Sequence, residues 1–197
     1  MRASEQGFNL VELLVLLTIT AILLAIAAPP FFELSGDLRV RLAAQDLLGT
    51  LRLARSHAIR YSANVAVRFD EDEAGRVTFA LYRDGDGDGV LNRDIEAGVD
   101  PQLVRPRPLA HFGRGVAFGF PPGPAARDPG SPTRRLRKED PIRFNNSDLA
   151  SFGPLGTSTP GSLYITDGRR RLAAVRVFGR TGKVRILTYD FAEEEWR

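Results

Sequence analysis

The chain has no cysteine and only two histidines and two lysines among its 197 residues. Without cysteine there is no disulfide framework and no thiolate to serve as nucleophile or metal ligand. The fold must rest on its apolar core, helped at most by a metal held through oxygen. The histidines, His57 in a helical pattern and His111 beside Phe112, have no nucleophile motif near them. No glycine-rich phosphate loop follows a strand and opens a helix, and the paired carboxylates fall in acidic turns where exposure gives no cause for shifted pKa values. These absences argue against an enzyme. Lys138 and Lys183 being the only lysines, the positive charge is nearly all arginine, and the net charge of +3 points weakly to anionic partners.

From Phe8 to Ala28 there is no glycine, no proline and no charge except Glu12. That run of about 20 residues is long enough to span a bilayer as a helix. An ionisable group near the end of such a helix is costly and calls for a partner. Only the polar stretch Met-Arg-Ala-Ser-Glu-Gln precedes Gly7, so the polar-to-apolar junction comes first. A secretory signal would instead place small residues after its apolar region. The rest is long enough for one modest globular domain.

Gly7-Phe8-Asn9-Leu10-Val11-Glu12-Leu13-Leu14 resembles the G-F-T-L-I-E-L-L start of type IV pilins and type II secretion pseudopilins, with Asn for Thr and Val for Ile. Pro29 stands where many pilins carry a proline. The resemblance implies cleavage by prepilin peptidase between Gly7 and Phe8 and methylation of the new Phe8 amine. It makes Glu12 the fifth mature residue, paired with the amino terminus of a neighbouring subunit.

Leu38, Leu42, Leu48, Leu51 and Ile59 recur at helical spacing, with Val40, Leu47 and Ala54 beside them and arginines largely on other faces. Asp37 is a candidate N-cap for this segment, and Pro29-Pro30 with Gly36 predict a loosened or kinked junction, one long helix with an interruption before it. From Asn64 the period becomes two. Val65, Val67 and Phe69 alternate, as do Val77, Phe79 and Leu81, and an acidic turn between them makes a hairpin. Further strands are expected at Leu103–Arg105, Val116–Phe120, Ile142–Phe144, Ser162–Thr166, Leu172–Phe178 and Lys183–Tyr189. Residues 121–141 are rich in Pro, Gly and charge, a composition that predicts a mobile surface loop without a core of its own. The cluster Thr133–Lys138 within it reads as solvated.

The resemblance continues past the leader. The pattern NDLLxxLxxARxxAIRxxxxV of the GspH/FimT branch appears as Gln45-Asp46-Leu47-Leu48, Leu51, Ala54-Arg55, Ala58-Ile59-Arg60 and Val65. The C-terminal order also matches: Gly161-Ser162-Leu163, then Asp167-Gly168, then Gly182-Lys183-Val184-Arg185. The middle of the chain matches nothing in the family pattern. The fold implied is α+β, the pilin fold: a long N-terminal α-helix, membrane-embedded in its first half, packed on an antiparallel β-rich domain. The expected division is a leader at 1–7, a transmembrane half-helix at 8–30, an amphipathic half-helix at 31–61 and a globular domain at 62–197.

Two constellations carry chemistry. Asp84-Gly85-Asp86-Gly87-Asp88-Gly89 sets three carboxylates at alternate positions, a pattern that wraps a hard cation such as calcium. In an EF-hand register Val90 offers its carbonyl and Asn92 the ninth position, but Ile95 takes the place of the terminal glutamate, with Asp94 and Glu96 on either side. The alternative is a solvated acidic turn. The second constellation is basic: Arg169, Arg170, Arg171, Arg176, Arg180, Lys183 and Arg185 crowd the last hairpin. Gly182-Lys183-Val184-Arg185 resembles the G-R-x-R motif associated with DNA binding in FimT-like minor pilins, which makes Arg169, Arg171, Arg180, Lys183 and Arg185 the nucleic-acid candidates. Lysine keeps the charge but not arginine's fork. The alternative is a strand edge guarded by charge.

The resemblance implies a structural subunit in the inner membrane, single-pass, with a periplasmic or extracellular domain and a place at a filament tip among other pilins. A minor subunit priming or capping a type IV pilus, with DNA contact, is the first reading. A GspH-like pseudopilin of type II secretion is the second, and a membrane-tethered receptor for DNA uptake the third.

Overall fold

The computed structural model describes residues 9–109, 115–145 and 147–197, the side chains of 27–35 and 132 excepted. Gly7 and Phe8, at the expected cleavage site, lie outside the described residues, as does His111. The chain divides into two units, Met1–Gly36 and Asp37–Arg197.

Helix α1 runs Leu10–Tyr61. The interruption expected at Pro29-Pro30 and Gly36 is absent: the helix continues through all three, although each proline removes one backbone donor. Asp37 is correspondingly no N-cap. It lies inside the helix and accepts an ion pair from Arg41 one turn on, at 2.8 Å. The N-terminal cap is Asn9, whose Oδ1 accepts from Val11 N at 3.4 Å, so this residue can cap the helix as threonine would. Among the described residues no helix is long and apolar enough to cross a membrane; the apolar run Phe8–Ala28 begins and ends beyond those whose side chains are described.

In the second unit the buried face of α1 is Val40, Ala43, Ala44, Leu47, Leu51, Ala54 and Ala58. Leu38, Leu42 and Ile59 are not on it, being 56%, 38% and 48% exposed. Val40, Leu47, Leu51 and Ala54 of the expected apolar pattern are on it, and Leu48 packs against it. Four alanines on the inner face let the helix backbone approach the sheets closely, so small residues mark the core here.

β1 (Val65–Glu71) and β2 (Val77–Arg83) form the expected hairpin, with Phe69 opposite Phe79. The short helix α2 (Asn92–Ala97) follows, then β3 (Gln102–Pro108), β4 (Ala117–Phe118), β5 (Arg127–Asp128), β6 (Ser131–Arg135), β7 (Ile142–Arg143) and β8 (Leu149–Phe152). β9 (Gly161–Thr166), β10 (Leu172–Phe178), β11 (Lys183–Asp190) and β12 (Glu195–Trp196) complete the order. One sheet is β3-β2-β1-β8. The other is β12-β11-β10-β9-β4, with β7 also paired to β9. Among the described residues the strand pairings are antiparallel, as expected of a domain whose strands follow one another through turns.

The main core joins the helix face to both sheets. Its centre is aromatic: Phe69 stacks on Phe144 at 6.1 Å and meets Phe118 edge-on at 5.8 Å. A second core lies on the other face of the β9–β11 sheet, where Tyr164, Leu172, Ala174 and Tyr189 pack with Ala126 and Leu136. This corrects the reading of 121–141 as coreless. Its middle is the β5–β6 hairpin, Ala126 and Leu136 flank that hairpin as buried anchors, and Lys138 donates to the carbonyls of Pro121 and Gly123 at 2.7 Å each.

Candidate functional site

At the N-terminus, Glu12 sits exposed in the first turn of α1, flanked by Leu10, Val11, Leu13 and Leu14, all half or more exposed. A carboxylate there complements the positive end of the helix dipole.

The acidic loop follows β2. The carboxylates of Asp84, Asp86 and Asp88 bring one oxygen each within 4.8 Å of one another. Asp84, 7% exposed, is already engaged: its Oδ1 accepts from Gly87 N at 2.7 Å, and its Oδ2 from Gly89 N at 3.0 Å and Asn64 Nδ2 at 2.9 Å. Burial pushes its pKa up, but these hydrogen bonds outweigh it and hold the group below the usual carboxylate range. Asp88 is pushed the other way by desolvation and by the neighbouring Asp86, although Arg93 reaches it at 2.7 Å. Of the later positions of the expected calcium loop, the carboxylates of Asp94 and Glu96 are not part of the cluster. Val90 packs its side chain with Ala66 and Leu149, Asn92 opens α2 and donates to Ser147 O at 3.3 Å, Asp94 pairs with Arg93, and Glu96 pairs with Arg68. Asp100 was not anticipated. Its buried side chain accepts from Gly85 N at 2.9 Å and Leu91 N at 3.1 Å, tying the loop together across 15 residues of sequence. Its signal was a lone aspartate before proline, indistinguishable in sequence from a turn residue.

The basic residues divide between the two ends of β10. Arg169, Arg170 and Arg171 form the β9–β10 turn, where Asp167 Oδ1 accepts all three of their backbone N–H groups at 2.9 to 3.0 Å. Arg171 lies 3.9 Å from Asp37 on the helix. Arg180, Lys183 and Arg185 sit at the other end and line a groove of about 690 Å³ together with Arg143 and Arg176, two arginines the sequence reading left out of the nucleic-acid set. A second groove of about 650 Å³ shares Thr181 and Lys183 with the first and adds Arg52 and Arg55 of α1. Arg169 and Arg171 line neither.

Strand pleat explains the grouping. Alternate residues share a face, so Arg176, Phe178, Lys183 and Arg185 all leave the sheet away from the helix. Register sets Phe178 opposite Lys183 and Arg176 opposite Arg185. The second core covers one end of that face and leaves the other open.

The family-pattern residues meet in this unit. Gly182 has φ +58°, a left-handed conformation, and a Cβ there would collide with the Gly156 carbonyl and the Arg55 side chain. Arg55 Nε donates to Gly156 O at 3.4 Å. A Cβ on Gly161 would strike the Phe144 ring and the Arg143 carbonyl, so that glycine permits a close approach. Asp46 Oδ1 and Thr50 Oγ1 hold Arg107 of β3 at 2.9 and 2.8 Å, while its guanidinium lies 4.9 Å from the Phe79 ring. The helix pattern and the C-terminal glycines are thus two sides of one packing contact.

The family model described as type II transport protein GspH matches residues 43–182, well over half of the chain and the span that carries this contact. The chain belongs to the GspH family. Among solved structures it is similar to the minor pseudopilin EpsH from the type 2 secretion system of Vibrio cholerae, at 19% identity over 75% of this chain and 94% of that one, with a TM-score of 0.43. No curated relative matches the chain. Membership of the GspH family makes the helix and its sheets those of a pseudopilin, so the groove and the acidic loop are features set upon a filament subunit.

Proposed function

We propose that this GspH-family chain is a minor pilin or pseudopilin that joins an initiating complex at the tip of a pilus-like filament. The observation that carries this is α1: one helix leads from the Glu12-bearing apolar run into the alanine-lined face of the domain. In this reading residues 8–30 anchor the subunit in the inner membrane after prepilin peptidase removes residues 1–7. The domain stands on the periplasmic side. Assembly draws apolar helices from lipid into a bundle, where Glu12 meets the Phe8 amine of an adjacent subunit. The role is structural rather than catalytic.

Two machines use such a subunit. The family description favours type II secretion, and the cations at the rim of the groove favour a pilus that contacts DNA. Deleting the gene and complementing it separates them: loss of exported folded protein assigns a secretion piston, and loss of piliation or DNA uptake assigns a pilus.

DNA contact is proposed for the exposed Arg180, Lys183 and Arg185. Phosphate neutralisation makes affinity salt-dependent, with a slope of about 0.9 per contact. Duplex binding by the full-length protein in detergent should weaken in Lys183→Ala with Arg185→Ala, and its log–log salt slope should fall by about 2. Unchanged binding in that double variant rejects the site.

Calcium is proposed for Asp84, Asp86 and Asp88, favoured by their mutual approach. Titration calorimetry should give stoichiometric binding, lost in Asp86→Ala and Asp88→Ala. No heat at millimolar calcium leaves the loop as a turn built by Asp84 and Asp100.

A further inference from the structure

The groove floor differs from its rim. Arg143 and Arg176 are half-buried and held in place, whereas Arg180, Lys183 and Arg185 are exposed. Arg143 donates from Nε to Asp140 O at 2.9 Å and from Nη2 to Arg137 O, and its guanidinium lies 5.1 Å from the Tyr164 ring. Arg176 donates from Nη1 to Pro129 O at 2.7 Å and lies 5.2 Å from the Phe178 ring. Carbonyls and rings fix these guanidinium groups without neutralising them. Among the described residues neither arginine has a carboxylate within ion-pair distance, and the same holds for Arg185.

Strand register places these groups in a row. Arg143 stands opposite Ser162, Ser162 opposite Arg176, and Arg176 opposite Arg185. Neighbouring strands lie about 4.8 Å apart, so the row crosses roughly 14 Å of sheet. Like charges directly opposite one another destabilise a ladder, and Arg176 faces Arg185 across the register, both guanidinium groups lying against the Phe178 ring at 5.2 and 6.0 Å. Among the described residues the one carboxylate lining the groove is Asp128, which accepts from Gly130 N at 2.7 Å and lies 4.0 Å from Arg134.

From this geometry we infer that the floor of the groove is a docking site for an acidic, extended segment of a neighbouring protein subunit. A duplex nucleic acid is a convex rod, which touches cations that protrude and does not reach Arg143 and Arg176 behind the rim. An extended peptide enters, and its alternate side chains are about 6.8 Å apart. Carboxylates at every second position therefore match the length of the row, one of them between Arg176 and Arg185 and another toward Arg143, with the Ser162 hydroxyl between. The inference rests on the filament reading for the existence of a neighbour, but binding in detergent needs no filament. Its failure leaves that reading standing.

The test is fluorescence anisotropy on full-length protein in detergent, with a labelled (Asp-Gly)₄ peptide as probe and its (Asn-Gly)₄ counterpart, duplex DNA and oligothymidylate as comparisons. The Asp peptide should bind and the Asn peptide should not. Arg176→Gln should weaken the peptide about tenfold or more, as expected for a lost charge-assisted hydrogen bond, and leave duplex binding within twofold. Ser162→Asp supplies the missing carboxylate from within. It should abolish peptide binding and raise the melting temperature, an outcome no unfolded variant imitates. Absence of peptide binding overturns the inference. So does oligothymidylate binding that is as tight and equally sensitive to Arg176→Gln, which makes the groove a nucleic-acid site.

Discussion

Glu12→Ala is expected to be made, inserted and cleaved normally, and to enter filaments about tenfold less or worse. The carboxylate lies in the first turn of a helix whose neighbouring side chains are apolar and exposed. A charged side chain costs roughly 2.5–3.5 kcal/mol at the centre of a membrane helix and less toward its end, so on the proposed reading removing Glu12 makes the anchor more comfortable in the membrane. On the proposed reading, what is lost is the reason to leave: pairing of Glu12 with a neighbour's amine would relieve that cost only in the assembled bundle. A difference of about 1.4 kcal/mol per tenfold puts the effect well within reach of the pairing. Glu12→Gln keeps the size and loses the charge, and should behave like the alanine variant. Quantifying protein in sheared filaments against the membrane fraction checks this. Wild-type incorporation of both variants removes Glu12 from the assembly mechanism.

Phe144→Ala should have the largest effect on the domain itself. The ring is fully buried, stacks on Phe69 at an interplanar angle of 2°, and lies where β7 of one sheet meets β1 of the other. Truncating such a ring leaves a cavity and costs about 3–5 kcal/mol, a large share of the stability of a domain this size. A melting temperature lower by on the order of 10 °C follows. Gly161 packs against the same ring, so the strand that opens the basic face should loosen with it. A loss under about 1 kcal/mol in calorimetry would mean that the sheets are held together elsewhere.

The reach of sequence reasoning follows physical lines. The hairpin of β1 and β2 is legible because alternation of apolar residues marks its strands, and β10 and β11 because β-branched and apolar runs flank a glycine-bearing turn. The helix was legible as a helix, but its phase only in part. Alanine carries little hydrophobic signal, so Ala43, Ala44 and Ala58 stand out less in sequence than Leu38, Leu42 and Ile59, which face outward. The 121–141 segment misled for the reverse reason. Its composition is that of a loop, yet two small anchors, Ala126 and Leu136, suffice when a finished sheet face awaits them. At the site, Lys183 and Arg185 could be placed on one face by their spacing alone. Arg143 reaches that face only through the pairing of β7 with β9, a long-range register that no local pattern encodes. Asp100 was hidden likewise, its role being set by backbone groups far from it in sequence.

On the proposed reading this chain works as a filament subunit among other pilin-like proteins. The most direct measurement is crosslinking of the full-length protein in its native membrane, followed by mass-spectrometric identification of what it touches. Pilin-like subunits should be recovered through crosslinks that include residues near Glu12: secretion pseudopilins if the machine is an export piston, minor and major pilins if it is a pilus. Recovery of the chain alone under conditions where filaments form, with no pilin-like partner on the α1 helix, would contradict that reading.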